Sequence, residues 1–234
     1  AAATGMWVGR LGALRLVIAG LLLTAAASLA GQWPALGLNG LLVARFVEGM
    51  GFMMVVVSAP ALVAAAARPQ DRRFALSIWS AFMPAGAALG MAAGPWLIPA
   101  YGWGSLWLAA AIGLLAAAAA VWTWRGHFPG TRPSPSARSF LGPVREVLAR
   151  PLPWLLAPCF GLWAVQHFAL IVWMPTYLIE QRALSPVAAA LWTAGMVVVN
   201  VPGNLLGGAL SQRGLPRGWQ LALDNGAWVE LGRG

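Results

Sequence analysis

The sequence predicts an all-α integral membrane protein, and three observations lead there. The composition suits a lipid-embedded chain, with 60% hydrophobic and 9% charged residues, against about 25% charged in a soluble domain. The apolar residues gather into six runs close to the ~20 residues that a membrane-crossing helix needs. The arginines lie at the ends of those runs and favour alternate connections, as the positive-inside rule requires.

In chain order, residues 1–8 read as the tail of a helix, and Gly9 to Arg15 as a short loop. Leu16 to Ala30, with Ala13 and Leu14, is just long enough to span. Gly31-Gln32-Trp33-Pro34 is a turn carrying an interfacial Trp, and Leu36 to Leu62 is a second span. Arg68 to Arg73 is a charged loop. Phe74 to Ile98 is a third span, broken by Pro84 and Pro95. Pro99 to Gly104 is an uncharged turn, with Tyr101 and Trp103 at interface depth. Ser105 to Trp124 is an Ala-rich span, and Arg125 to Arg150 a hydrophilic stretch rich in Pro, Ser and Arg. Pro153 to Met174 and Val187 to Leu210 complete the six, separated by a loop from Pro175 to Pro186.

Numbering the connections alternately sorts the charges. One set holds Arg10 and Arg15, then Arg68, Arg72 and Arg73, then Arg125 to Arg150, then Arg213 and Arg217. The other holds only Glu180 and Arg182. Excess Arg marks the cytoplasmic side, so the loops with Arg10, Arg72, Arg125–Arg150 and Arg213 are expected there, in a bacterial inner (plasma) membrane.

Composition also excludes function classes. All 15 basic residues are Arg and the net charge is +9, but they form no stripe on a soluble surface, so nucleic acid is not an expected partner. The single cysteine, Cys159, excludes an internal disulfide and reads as a small buried apolar residue. Of the two histidines, His127 lies in the hydrophilic stretch. No His-x-x-x-His, paired Asp or Gly-x-Ser-x-Gly is present, so neither an enzyme, a metal nor a cofactor is expected. No signal peptide is seen, and the apolar opening Ala1-Ala2-Ala3-Thr4-Gly5 reads as the end of a helix that begins upstream.

Chemistry concentrates in the second span, in Arg45-Phe46-Val47-Glu48-Gly49-Met50-Gly51. Residues three apart share a helix face, and a span of about 27 residues, ~40 Å, puts both charges at middle depth. A charge there costs at least ~2.5 kcal/mol and faces a partner or a water-filled cavity. Either the two residues neutralise each other to hold the bundle together, or they line a pathway. Gln166 and His167 near the middle of the fifth span, and Asn200 and Asn204 one turn apart in the sixth, are the other polar candidates for substrate or coupling. Asn39 is a weaker one. Gly86, Gly90 and Gly94, four apart and followed by Pro95, predict a smooth helix-packing face.

Two basic loops repeat. Gly5, Arg10, Gly12 and Arg15 resemble Gly208, Arg213, Gly214 and Arg217, the second copy being one residue shorter. Related halves of several helices are a feature of secondary transporters.

Together these motifs resemble the major facilitator superfamily over roughly residues 5–217. The repeated loops match its Gly-x-x-x-Asp-Arg-x-Gly-Arg-type signature, Arg45-x-x-Glu48-Gly49-x-Gly51 its Arg-x-x-Gln-Gly-x-Gly motif, and Gly86 to Pro95 its glycine series ending in Gly-Pro. Tyr101-Gly102-Trp103 and Trp173-Met174-Pro175-Thr176-Tyr177 fit as well. The resemblance implies helices 3–8 of a 12-helix major facilitator fold, incomplete at both ends. Residues 1–124 are then the N-terminal half, 125–152 the cytoplasmic linker, 153–217 the start of the C-terminal half, and 218–234 an atypical tail. Gly9 and Gln212 stand where the family's loops carry an acid, and Glu48 where it often has Gln.

What the resemblance implies is a secondary active transporter of a small solute, working by alternating access. An organic or inorganic anion is favoured because Arg45 is the one strong buried cation, and a coupling proton, if there is one, would pass through Glu48 or His167. The cyanate- and nitroimidazole-permease-like branch fits best, through Ile78 to Pro84 and Trp173 to Tyr177. The alternative is a non-transporting membrane scaffold or receptor, or a decayed transporter fragment. The resemblance implies that the basic loops gate the cytoplasmic side; with the family's acid replaced, the alternative is that Arg10, Arg15, Arg213 and Arg217 only stabilise, by meeting helix C-termini or lipid phosphates.

Overall fold

The computed structural model describes residues 12–128 and 148–212, and the regular structure among them is helical. Among the described residues eight α-helices lie in chain order: α1 Ala13–Gly31, α2 Gly37–Ala66, α3 Arg72–Ser80, α4 Phe82–Tyr101, α5 Gly104–Thr123, α6 Pro151–Glu180, α7 Pro186–Val198 and α8 Asn200–Gln212. Six stretches are long and apolar enough to cross a membrane: α1, α2, α3 with α4, α5, α6, and α7 with α8. The expected helix tail of residues 1–8 with the first loop residues 9–11, the linker residues 129–147 and residues 213–234 lie outside the described residues.

Local chemistry sets several boundaries. α7 starts at Pro186, whose missing N–H costs nothing in a first turn, behind Ser185, whose hydroxyl accepts from the Ala188 N–H at 3.2 Å. α4 ends where Gly102 turns to φ 79°, a left-handed conformation that a Cβ disfavours, and its N–H still reaches the Ile98 carbonyl at 2.8 Å. Arg15 falls in the first turn of α1 rather than in a loop. That is the positive end of the helix dipole, so Arg15 does not serve α1 as a C-terminal cation.

Helix boundaries differ from expectation chiefly at prolines. Pro95 and Pro99 lie inside continuous α4, Pro60 inside α2, and Pro158 and Pro175 inside α6, which runs on to Glu180 through residues expected to form a loop. A proline removes one backbone bond, and where no water can replace the others the chain keeps them by staying helical. Breaks occur at only two of the span prolines among the described residues. α3 gives way to α4 at Ala81, three residues before Pro84, and α7 gives way to α8 at Val199, three residues before Pro202. The second break was not expected.

The helices pack as two groups. α1 lies between α2 and α5, with Ala13, Val17, Leu21, Leu62 and Ala118 buried together. In the second group α4 packs on α7 through Ala88, Ala194 and Val197, flanked by Ala87, Met91 and Ile171, and α3 packs on α8. The span expected to belong to the first half therefore contacts the last span directly. α6 has α7 as its principal neighbour and stays largely uncovered. Cys159 is accordingly exposed, not buried as its residue type suggested.

Candidate functional site

Arg45 and Glu48 lie three apart on α2 and form an ion pair. Two residues from other helices complete the group. Ser28, fully buried on α1, donates its hydroxyl to Glu48 Oε1 at 2.7 Å. Trp107 on α5 lies under the Arg45 guanidinium, whose carbon stands 3.7 Å from the ring centroid, within the range of a cation–π contact. Gly31 makes room for that indole, because a Cβ there would overlap the ring. Three helices thus converge on one charged pair. Glu48 uses both oxygens, one on Arg45 and one on Ser28.

Close packing of α1 on α2 brings these groups into register. A Cβ on Gly20 would stand 2.7 Å from the Gly51 carbonyl oxygen, and one on Gly51 would stand 2.8 Å from the Gly20 carbonyl oxygen and overlap the Thr24 hydroxyl. The two backbones touch where neither residue has a side chain. Gly51, the last residue of the Arg-x-x-Glu-Gly-x-Gly motif, is therefore a helix-crossing residue. Gly49 has open space around it.

The pair is shallower than the sequence implied. Arg45 is the ninth residue of a 30-residue helix, about 12 Å from its start in a helix about 45 Å long. The end nearest Arg45 carries the arginine-poor turns, where Gly104 lies against Gln32 and Trp33, Tyr101 and Trp103 are exposed. Despite its partners, the Arg45 side chain is 47% exposed and that of Glu48 21%.

The other expected residues lie elsewhere. On α6, His167 stacks on Trp163 with ring centroids 4.8 Å apart and 11° between planes, and meets Phe168 edge-on, while Gln166 is exposed. Asn200 Nδ2 donates to the Val197 carbonyl of the preceding helix at 3.1 Å, and Asn204 Nδ2 donates to the Ser80 carbonyl at 3.4 Å. Asn39 is exposed near the start of α2. Gly86 and Gly90 leave open space, and a Cβ on either would meet nothing within 4 Å; Gly94 is buried near Ile98 and Leu106. Among the described residues the packing face of α4 is formed by its alanines rather than by Gly86 and Gly90. Pro95 is half-buried within the same helix.

Of the loop residues, Gly12 is buried at φ 83° just before α1, Arg15 is exposed, and Gly208 belongs to α8. Gly5, Arg10, Arg213, Gly214 and Arg217 lie outside the described residues. Ser28 and Trp107 were not foreseen. The signal for Trp107 was its place one turn beyond the Tyr101-Gly102-Trp103 turn. Ser28 offered none beyond being a hydroxyl in an apolar run.

Six membrane-length helices, with a charged group held where three of them meet, are the build of an integral membrane protein. The sequence matches the family description "Major Facilitator Superfamily" over residues 1–224, and the chain belongs to that family. Neither a curated protein nor a solved structure matches it significantly. The family supports membrane transport of small solutes in general, and the described helices are consistent with part of its fold.

Proposed function

We propose that the chain carries out secondary active transport of a small anion by alternating access, with Arg45 as the solute-facing cation. The observation that carries this reading is the state of Arg45: Glu48 and Trp107 hold it in place, yet about half of its side chain stays exposed. A cation within a membrane-spanning helix needs a partner or an aqueous path, and this one has unused N–H donors for a carboxylate-like or oxyanionic group. Glu48, bridging Arg45 and Ser28, is the group through which a coupling proton passes. The arginine-rich connections lie on the cytoplasmic side, and the six spans correspond to the family's helices 3–8.

A second reading has its own support. The closed chain Ser28–Glu48–Arg45–Trp107 fastens three helices together, which is what a scaffold requires.

The test is uptake of a panel of small organic and inorganic anions into vesicles holding the protein, with and without an imposed pH gradient. Uptake accelerated by the gradient, with the acceleration lost in Glu48→Gln, supports transport and coupling together. No uptake across the panel contradicts anion transport. Uptake indifferent to the gradient contradicts the coupling role alone.

A further inference from the structure

In an α-helix the N–H of residue i serves the carbonyl of residue i−4. Pro84 has no N–H, so the Ser80 carbonyl loses its donor within the helix. An unserved carbonyl in an apolar span is unfavourable. The donor that takes over is Asn204 Nδ2, at 3.4 Å and 124 residues away in sequence. Pro202 withholds a donor from the Val198 carbonyl in the same way, two residues before Asn204. The two helix breaks, at Ala81 and Val199, therefore belong to spans that touch: α3 packs on α8, and α4 packs on α7.

The position of this contact is as specific as its chemistry. Ser80 is the last residue of the nine-residue α3, so it lies about 12 Å from the start of that helix. Asn204 lies about 12 Å before the end of α8. Both measure from the arginine-rich end, where Arg72 begins α3. Beside Asn204, a Cβ added to Gly203 or Gly207 would meet nothing within 4 Å among the described residues.

We infer that the Asn204 amide and the Ser80 carbonyl released by Pro84 form a latch between two proline-broken spans, and that α8 swings away from α3 about the break at Val199 when it opens. A single amide–carbonyl bond between membrane helices biases two arrangements without locking either. The latch does not depend on which solute crosses.

The experiment is a distance measurement by paired spin labels in lipid. With Cys159→Ser as background, labels go on Ile78→Cys and Leu206→Cys, both exposed positions on the two facing helices. The parent gives one dominant distance. Asn204→Leu removes the donor, and the share of longer distances at least doubles. Pro84→Ala restores the N–H, returns the Ser80 carbonyl to its own helix and produces the same shift; adding Asn204→Leu to it changes nothing more. Unchanged distances in Asn204→Leu, or a shift just as large on top of Pro84→Ala, overturn the latch. Should Asn204→Leu fail to fold, Pro84→Ala decides alone: a shift sustains the latch, and an unchanged distribution removes it.

Discussion

Gly51 in α2 and Gly90 in α4 are both glycines at family-motif positions in membrane-spanning helices, yet they do opposite work. Gly51 sits where the backbone of α1 comes so close that a Cβ would overlap the Thr24 hydroxyl and press on the Gly20 carbonyl. Gly90 faces open space, and α4 meets its neighbour through Ala88 instead. A small residue permits close approach, but only a partner backbone makes it a contact. The comparison extends to the two helix groups. α1, α2 and α5 are knotted by backbone proximity and a charged cluster near the arginine-poor end. Among the described residues, α3–α4 and α7–α8 meet through small side chains and the Asn204–Ser80 amide–carbonyl bond near the arginine-rich end.

The same substitution at both glycines tests the contrast most sharply. Gly51→Ala forces backbone against backbone and costs about 2 kcal/mol, read as a lower thermal midpoint in detergent. A midpoint unchanged from the parent would mean that α1 and α2 do not approach so closely. The smaller effect has the opposite sign. Gly90→Ala meets nothing, and the better helix propensity of Ala gains up to about 1 kcal/mol, read as a midpoint equal to or above the parent's. A loss there comparable to that of Gly51→Ala would place Gly90 in a packed interface and erase the difference.

Much of this fold was legible because apolar run length and arginine placement are one-dimensional signals. α5 begins and ends within a residue of the expected Ser105 to Trp124, and the start of α2 is equally close. Prolines were harder. Pro84 and Pro95 look alike in sequence, but in the folded chain it is Pro84 that has an asparagine at hand to serve the carbonyl it frees. Pro95 stays inside a continuous helix, while the break at Pro202 went unseen. At the site, Arg45 and Glu48 were found because charges are rare in such spans and their spacing pairs them. Their partners were not, because which hydroxyl and which indole reach them depends on α1 crossing α2 through the gap that Gly20 and Gly51 leave, and on α5 packing against α1. Depth was misjudged for a related reason: α2 continues four residues beyond Leu62, to Ala66, which moves its centre away from Arg45.

Arg45 separates the two readings of the knot. As the solute-facing cation it is indispensable to transport but not to folding, since Glu48 keeps the Ser28 hydroxyl as a partner when the guanidinium is removed. The decisive measurement is uptake by Arg45→Gln relative to the parent, with membrane abundance and thermal midpoint recorded on the same samples. The account predicts at least a tenfold loss of anion uptake with the protein still inserted and its midpoint within a few degrees of the parent's. Full uptake by that variant, or loss of uptake only in proportion to lost folded protein, would contradict it and leave Arg45 as a fastening between helices.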